Sequence, residues 1–498
     1  MRIIIVGAGL VGTQLARYLI EEKHDVAIIE ENEERARHTS NRLDCLVLHD
    51  EGNSISALEE AGIAKADALV CVTDSDEINM IICGLAARYP KTLKIVRVRN
   101  NEYIKRNFQN QVENKDNPPL GIDHFIHPDV EAARSVLDAI EHGAAGDIFT
   151  FAGSSYELGS VDISAGSPFN NLPLIGFHDV IDKECLVTLV ERNGSYIIPK
   201  GSTKLSAGDS IYLLAKDDVL NEAFVLAGRG EKKIKKIGIV GGGRLGALIL
   251  SELLRGDTSE QGNKKSKSHF SFLKSIIPNR FKNITIIEKD YGVCKELAAR
   301  FPEALVLNED ISDESFIVEE HINNLDLIVA ATDNQELNIV TSIYLKSRGL
   351  NRAIALVSSS GYAAIARHLG VDVVIPMTSV VVDSILARLI GGGIKGLHRI
   401  GDGSLGILEI EISSGSEAEG KALKNFPLPE GALVMLVSRP HEDQEEEAEE
   451  FIPRGNYIFT AGDRLFIIIR NGKEMEIENI FGKEDKGLSE KNKAGEEK

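Results

Sequence analysis

The sequence has few of the features that mark secreted, metal-bound or membrane-spanning proteins. Its cysteines are odd in number and scattered, with no C-x-x-C pair, so neither a disulfide framework nor a zinc site is indicated. No apolar run approaches the roughly 20 residues that a membrane-spanning helix requires. The first apolar run, residues 3–6, leads into glycines and is therefore a strand, not a signal peptide. We expect a cytoplasmic protein with reduced cysteines, at Cys45, Cys71, Cys83, Cys185 and Cys294.

A basic excess is also missing. The formal net charge is −20 over 498 residues, whereas a general nucleic-acid surface normally shows an excess of Lys and Arg. We therefore expect no nucleic-acid partner, and the same acidic charge disfavours a redox-sensing repressor. The share of hydrophobic residues, 43%, is ordinary for a globular protein. The length suggests roughly three or four domains.

What the sequence does contain is one glycine-rich loop, present twice. The copies are Gly7-Ala8-Gly9-Leu10-Val11-Gly12 and Gly241-Gly242-Gly243-Arg244-Leu245-Gly246. Each follows an apolar run and opens a helix-like stretch, which is the context that a G-x-G-x-x-G motif needs. The first glycine allows a tight turn, the second lets the backbone approach a pyrophosphate, and the third lets the helix pack on the sheet. We predict two nucleotide sites at helix N-termini. The alternatives are that such a loop is only a tight turn, and that the second copy keeps the fold but has lost the ligand.

An acidic residue follows the next apolar run in each copy. Glu30 ends the run 26–29, and Glu288 ends the run 284–287 after an insertion at about 256–282. An acid placed roughly 20 residues after the glycines accepts hydrogen bonds from a ribose hydroxyl pair, and it favours an unphosphorylated ribose. The alternative is a solvated residue at a strand end. Because loop, run and acid recur in order, we favour ribose binding.

Apolar runs and helical stretches then alternate, which predicts parallel sheets. In the first half the strands fall near 25–30, 44–48, 67–72, 93–98 and 124–126, and in the second near 284–288, 304–307, 326–331, 353–357 and 373–375. Thr73-Asp74 and Thr332-Asp333 end equivalent strands, with Asn79 and Asn338 at the same offset. These Thr-Asp pairs lie where a bound nucleotide extends, or they cap a helix.

Two smaller strand-rich segments also match each other. Pro199-Lys200-Gly201 and Gly208-Asp209 recur as Pro453-Arg454-Gly455 and Gly462-Asp463, and the Gly-Asp step is typical of a turn before a buried strand. We predict an α/β chain of doubly wound Rossmann-like domains at 1–126 and 234–375, crossover helices at 127–146 and 376–396, small α+β lobes at 147–228 and 403–482, and a disordered charged tail at 483–498.

This order of motifs resembles the TrkA family, the cytosolic regulatory subunits of bacterial Trk potassium-uptake systems, over about residues 1–482. Such chains hold two RCK (regulator of potassium conductance) repeats. The resemblance implies a non-enzymatic protein that binds NAD(H), and in some relatives ATP or ADP. It also implies a homo-oligomeric ring beneath a TrkH or TrkG type membrane potassium channel subunit, at the inner face of the cell membrane. Nucleotide occupancy would bias channel opening.

Carried over by position, the family's binding residues fall on both halves. The first site would comprise Gly7, Ala8, Gly9, Leu10, Val11, Gly12, Glu30, Thr73, Asp74 and Arg97. The second would comprise Gly241, Gly243, Arg244, Leu245, Gly246, Glu288, Asp310, Thr332 and Asp333. The usual Gly-Asp step after the third strand is Asp50-Glu51-Gly52 in the first half and Glu309-Asp310 in the second. Arg244 departs from the family loop and could add a phosphate contact.

A Rossmann-type sheet alone does not specify chemistry. The alternative function is an NAD-dependent oxidoreductase with duplicated domains, which needs an acid or base near the nicotinamide and a substrate pocket. The histidines are dispersed, no catalytic cluster or metal-ligand group is visible, and the small lobes leave little room for a substrate domain. We therefore favour a regulator.

Overall fold

The computed structural model describes residues 1–104, 119–141, 148–151, 154–227, 234–255, 283–389, 394–400, 405–440, 448–470 and 472–482. The predicted insertion at 256–282, the tail at 483–498 and the end of the first crossover helix at 142–146 lie outside the described residues. The chain divides into two compact units. One combines Met1–Asp147 with Lys232–Ile385, and the other combines Ile148–Glu231 with Leu386–Lys498.

The first domain is a parallel sheet with helices in the connections. Its strands are β1 Arg2–Val6, β2 Asp25–Glu30, β3 Leu46–His49, β4 Ala68–Cys71, β5 Leu93–Arg97 and β6 His124–Ile126. Its helices are α1 Leu10–Glu21, α2 Glu33–Ser40, α3 Ile55–Glu60, α4 Asp76–Leu85, α5 Asn101–Ile104 and α6 Pro128–Glu141. The strand order β3-β2-β1-β4-β5-β6 is the doubly wound order of dinucleotide-binding domains.

Local sequence explains the buried central strand and the starts of two helices. Ile3, Ile4 and Ile5 of β1 are at most 1% exposed, because a central parallel strand is buried on both faces. Ser54 and Ser75 accept hydrogen bonds from the first turns of α3 and α4, as N-cap side chains do.

The first small lobe is an antiparallel sheet with one described helix. It consists of β7 Ile148–Thr150, β8 Tyr156–Asp162, β9 Cys185–Arg192, β10 Ser195–Ile197, β11 Ser210–Lys216 and α7 Asp217–Leu226. The strand order is β10-β9-β11-β8-β7. Asp209, in the predicted turn before β11, is 2% exposed. Its two carboxylate oxygens accept hydrogen bonds from Arg192 at 2.7 and 2.6 Å. A bidentate ion pair therefore stabilises the turn that the Gly208-Asp209 step favours.

The Arg192 pair makes stability depend on pH. Hydrogen bonds from Arg192 are the main cause that lowers the pKa of Asp209 below its usual value. The stabilisation is therefore fully present above the unfolded-state pKa, about 3.9, and is lost as the pH falls through the lower folded-state pKa. We expect Asp209→Asn to reduce the free energy of unfolding by roughly 2 kcal/mol at neutral pH, and by much less near the folded-state pKa.

Unfolding curves for the wild type and Asp209→Asn, recorded at about pH 7 and about pH 3, test this expectation. Asp182→Asn is the matched control, because Asp182 is exposed in the irregular segment before β9. A stability difference of equal size at both pH values would contradict an ionic origin.

The second domain repeats the first. Its strands are β12 Lys236–Val240, β13 Asn283–Glu288, β14 Leu305–Asn308, β15 Leu327–Ala330, β16 Arg352–Val357 and β17 Val373–Pro376. Its helices are α8 Arg244–Arg255, α9 Tyr291–Arg300, α10 Glu314–Glu319, α11 Gln335–Ser347, α12 Ser360–His368 and α13 Met377–Leu389. The order β14-β13-β12-β15-β16-β17 matches the first sheet position by position, so the predicted fold class is confirmed.

The second small lobe begins earlier than the sequence predicts. It contains β18 Ile394–Ile400, β19 Leu405–Glu411, β20 Leu433–Arg439, β21 Glu449–Phe451, β22 Arg464–Arg470 and α14 Glu474–Phe481. Because β18 pairs with β19, the boundary at 403 is too late and the crossover helix does not reach 396. Helix α13 ends at Leu389, before three consecutive glycines at 391–393, which disfavour helix. Pro376 ends β17 and does not open α13.

The crossover helix of the first domain packs into the second. Val136, Leu137 and Ile140 of α6 belong to one buried cluster with residues of β12 and α8, including Ile237 and Ile249. The apolar residues of this helix are therefore buried within the chain.

The two small sheets also share a core. Phe151 and Phe466 contact each other, with ring centroids 4.7 Å apart, and Tyr156, Ile407 and Ile468 lie in the same buried cluster. Ser155 donates two hydrogen bonds to Glu450 at the margin of this core. Each compact unit thus joins equivalent parts of the two repeats.

Candidate nucleotide-binding sites

The three glycines of the first loop have three different environments. Gly7 has φ +104°, and a Cβ there would lie 3.0 Å from the backbone nitrogen of Thr73. A Cβ at Gly12 would lie 1.9 Å from the carbonyl oxygen of Gly7. A Cβ at Gly9 would meet no described atom within 4 Å. The first and third glycines thus serve the turn and the helix contact, whereas the second leaves the backbone open to a ligand.

The second loop repeats this arrangement. Gly241 has φ +100° and faces the carbonyl oxygen of Ala331, 2.9 Å from an added Cβ. Gly246 would bring a Cβ to 1.9 Å from the oxygen of Gly241, and Gly243 again faces open space among the described atoms. The backbone of both loops has the form that brings a pyrophosphate to the N–H groups of a following helix.

Glu30 is bonded to the first loop. One carboxylate oxygen accepts a hydrogen bond from the backbone N–H of Ala8 at 2.6 Å, and the other accepts one from Asn32 at 2.9 Å. The residue is 4% exposed, and Arg35 lies 3.6 Å from it. A carboxylate has about four acceptor positions, so Glu30 keeps capacity for ribose hydroxyls. A 2′-phosphate would meet a negative charge here.

Glu288 takes the same place in the second half. Its oxygens accept hydrogen bonds from Gly242 at 2.6 Å and from Asp290 at 2.8 Å. A Cβ on Gly242 would lie 2.6 Å from the Leu297 side chain and 3.0 Å from Glu288. The extra glycine of this loop therefore leaves room for the Leu297 side chain beside Glu288, a role that the motif alone does not indicate.

A buried asparagine holds the strand end beside each loop. Asn79 is fully buried; its oxygen accepts hydrogen bonds from the N–H and hydroxyl of Thr73 at 3.0 and 2.7 Å. Its amide donates to the carbonyls of Thr73 and Arg97 at 3.1 and 3.0 Å. Asn338 makes the equivalent four bonds to Thr332 and Leu356. The sequence shows the repeated offset but not this function.

Thr73 and Asp74 do not cap the following helix. The N-cap side chains are Ser75 for α4 and Asn334 for α11. Each cap lies two residues after the threonine, so the capping interpretation is wrong. Asp74 is 87% exposed at the carboxyl edge of the sheet, and Asp333 is exposed at the equivalent place. A ligand role for these residues stays a prediction.

Arg97 is a buried cation at the same edge. Its side chain is 8% exposed; Nη1 donates to the carbonyl of Thr73 at 3.0 Å and lies 3.5 Å from Asp74. Its Nε has no hydrogen-bond partner among the described residues. Burial lowers the pKa of the guanidinium from its usual value, which expresses the cost of desolvating this charge.

Arg244 lies in the first turn of α8, directly after the second glycine, where the first loop has Leu10. The Arg244 side chain is 68% exposed, and its Nε is 3.6 Å from Asp129 of α6. Leu10 is 63% exposed. Val11 and Leu245, the next residues of the two loops, are half-buried. Arg244 therefore lies at the second glycine loop with most of its side chain in solvent.

The residues after the third strand differ between the halves. Glu51 and Asp310 are equivalent by the pairing of β3 with β2 and of β14 with β13. Asp310 is exposed and accepts from the N–H and hydroxyl of Ser312, bonds that lower its pKa. A Cβ on Gly52 would lie 2.3 Å from the Val6 side chain. In the first half, Gly52 is thus packed closely against β1. In the second half, ligand contact by Asp310 stays a prediction.

In the part of the chain that the structure describes, no group of three His, Cys, Asp or Glu side chains could hold a metal ion. None of the described helices has both the length and the apolar character needed to cross a membrane.

Family models match both repeats. The TrkA-N domain matches residues 3–128 and 273–376. The TrkA-C domain matches residues 158–228 and 407–482.

Several proteins are similar over nearly their whole length. "Trk system potassium uptake protein TrkA homolog 1" of Methanosarcina mazei is 30% identical, covering 97% of this chain and 100% of the relative. "Trk system potassium uptake protein TrkA" of Haemophilus influenzae is 27% identical, covering 97% and 98%.

Two solved structures share the fold. "GsuK channel bound to NAD" has a TM-score of 0.54 at 16% identity, covering 96% of this chain and 78% of that one. "Crystal Structure of the GsuK RCK domain" has a TM-score of 0.52 at 16% identity, covering 96% and 94%.

Proposed function

We propose a function from the premise that this chain belongs to the TrkA family, with paired TrkA-N and TrkA-C domains. The protein is a nucleotide-binding regulatory subunit of a potassium-uptake system. It binds NAD(H), or an adenine mononucleotide such as ATP or ADP, at both glycine loops. Bound nucleotide changes the conformation of the protein and thereby gates a membrane potassium channel of the TrkH or TrkG type. The subunit works from the cytoplasmic side, as a homo-oligomeric ring.

The observation that supports this proposal is the pair of loops. In each, the second glycine faces open space among the described atoms, and an acidic residue is bonded to the loop backbone. The residues present fit a dinucleotide: Glu30 and Glu288 would accept from a ribose, and the N–H groups at the starts of α1 and α8 would meet the phosphates. NAD(H) would supply binding energy here, not chemistry.

Gating follows from differential affinity. A nucleotide shifts a conformational equilibrium only as far as it binds one state better than the other. By linkage, binding to the channel must change nucleotide affinity by the same factor. Several sites in a ring add their small preferences, so modest differences at each site can move the channel substantially.

The test is calorimetric titration of the full chain with NADH, NAD, ATP and ADP. Gly9→Asp and Gly243→Asp each place a carboxylate where the loop is open, so each should weaken binding at its own loop by roughly 100-fold, which is about 2.7 kcal/mol. Neither variant should unfold, because a Cβ at either position meets no described atom within 4 Å.

Loss of one half of the binding stoichiometry in each variant would support two separate sites. Absence of binding to the wild type by all four nucleotides would overturn nucleotide gating. Conversion of NADH to NAD on addition of a substrate would favour an oxidoreductase instead.

A further inference from the structure

The two nucleotide sites differ in the residue that opens the helix after the acidic residue. Asn32 and Asp290 are equivalent, because each donates its backbone N–H to the acidic carboxylate and caps the following helix with its side chain. The next residue is Glu33 in the first half and Tyr291 in the second. Tyr291 is 73% exposed. An exposed aromatic ring therefore lies beside the second site, where the first site has a carboxylate.

The order of the strands places a nucleobase on the same side of the site as this ring. Strand β13 lies between β12 and β14, the second glycine loop follows β12, and Glu288 ends β13. A ligand with its phosphates at the loop and its ribose at Glu288 therefore extends its base away from β12, over the carboxyl ends of β13 and β14. Helix α9 begins there, and Tyr291 is its first residue.

The segment after β14 lies on the other side of this space. The Asn308 amide donates to the backbone carbonyls of Glu288 and Lys289 at 3.1 and 2.9 Å, which fixes the chain between β13 and α9. Hydrogen bonds from Ser312 are the main cause that lowers the pKa of Asp310, and the nearby charge of Lys289 adds to the effect. The start of α9 and the segment after β14 therefore border the place where the base would lie.

Resting on the proposed function, we propose that Tyr291 stacks on the base of a nucleotide in the second half, so that this half recognises the base as well as the ribose and phosphates. The first half has Glu33 at the same place, and a carboxylate offers no face for stacking. A tyrosine gives a large contact area with only two rotatable bonds. Stacking of a base on an aromatic side chain strengthens binding roughly tenfold.

The experiment uses the full chain with Gly9→Asp, so that only the second site binds. Calorimetric titration with ADP measures the affinity of the whole nucleotide, and titration with pyrophosphate measures the part that needs no base. We expect Tyr291→Ala to weaken ADP about tenfold and pyrophosphate less than about twofold. Tyr291→Phe should leave both affinities nearly unchanged, because the ring remains. Since Tyr291 is largely exposed, neither replacement should unfold the protein.

The ultraviolet absorption of bound adenine reports stacking independently of affinity, because a stacked base absorbs less strongly. At saturating ADP, we expect this hypochromism in the Gly9→Asp protein and in its Tyr291→Phe form, but not in its Tyr291→Ala form. Tyr362→Ala is the matched control. Tyr362 is also exposed, but it lies on α12, which packs against β16 and β17, so its loss should change neither affinity nor absorption.

The reverse exchange tests the first half. With Gly243→Asp, only the first site binds, and Glu33→Tyr should then strengthen ADP binding about fivefold and introduce the hypochromism. Glu33 is exposed, so the replacement leaves the core of the first domain unchanged.

An unchanged ADP affinity in Tyr291→Ala, an equal loss for pyrophosphate, hypochromism that persists without the ring, or no gain from Glu33→Tyr would each overturn the inference while nucleotide binding remains. Absence of any binding to the wild type would instead overturn the proposed function.

Discussion

Replacing Gly12 with alanine is expected to destabilise the first domain by about 4 kcal/mol, at the upper end of single substitutions. The added Cβ would lie 1.9 Å from the carbonyl oxygen of Gly7, which is backbone and cannot rotate away. Relief requires α1 to move off the loop or the turn at Gly7 to open. Either movement would also displace the N–H groups that we assign to the phosphates, so nucleotide binding at the first site should be lost together with stability.

Thermal and denaturant unfolding would measure the loss. Gly9→Ala is the matched control, because Gly9 has φ −70° and an added Cβ there meets no described atom within 4 Å. Gly246→Ala should repeat the effect in the second domain, where the distance to Gly241 is again 1.9 Å. A Gly12→Ala protein that unfolds like the wild type would show that the close packing of helix on loop is dispensable.

Asn79→Ala is expected to cost about 3 kcal/mol, because it leaves several buried backbone groups without partners. The carbonyls of Thr73 and Arg97 and the N–H of Thr73 all lose their bonds to the amide. The end of β4 and the buried guanidinium of Arg97 would then lose their fixed positions. We therefore expect weaker nucleotide binding at the first site as well as lower stability.

Unfolding curves and NADH titration of the same protein would test both effects. Asn338→Ala should destabilise the second domain similarly, since its four bonds are equivalent. Asn53→Ala, at an exposed position, should change neither property. An Asn79→Ala protein with normal stability would mean that water replaces the amide at little cost.

The strands could be predicted from the sequence because a buried parallel strand is a continuous apolar run. Arg2–Val6 and Lys236–Val240 were apparent from their isoleucines and valines. The asparagine bonds could not be predicted, since a polar residue in an amphipathic helix looks solvated until its partners are known. The only indication in the sequence was that Asn79 follows Thr73 at the same offset at which Asn338 follows Thr332.

Contacts between distant parts of the chain could not be predicted from the sequence either. The apolar stripe of α6 indicates burial, but it does not identify the second domain as the surface that covers it. The approach of Arg244 to Asp129 joins residues from different repeats. The capping interpretation of Thr73 failed because Ser75, two residues later, has the better position for a cap.

The place of α6 limits how this protein can be divided. A fragment ending before β12 would expose Val136, Leu137 and Ile140, which pack beside Ile237 and Ile249 in the intact chain. The same cut would uncover Phe151, whose neighbour is Phe466. Either half expressed alone would therefore carry exposed apolar surface that the other half covers in the intact chain.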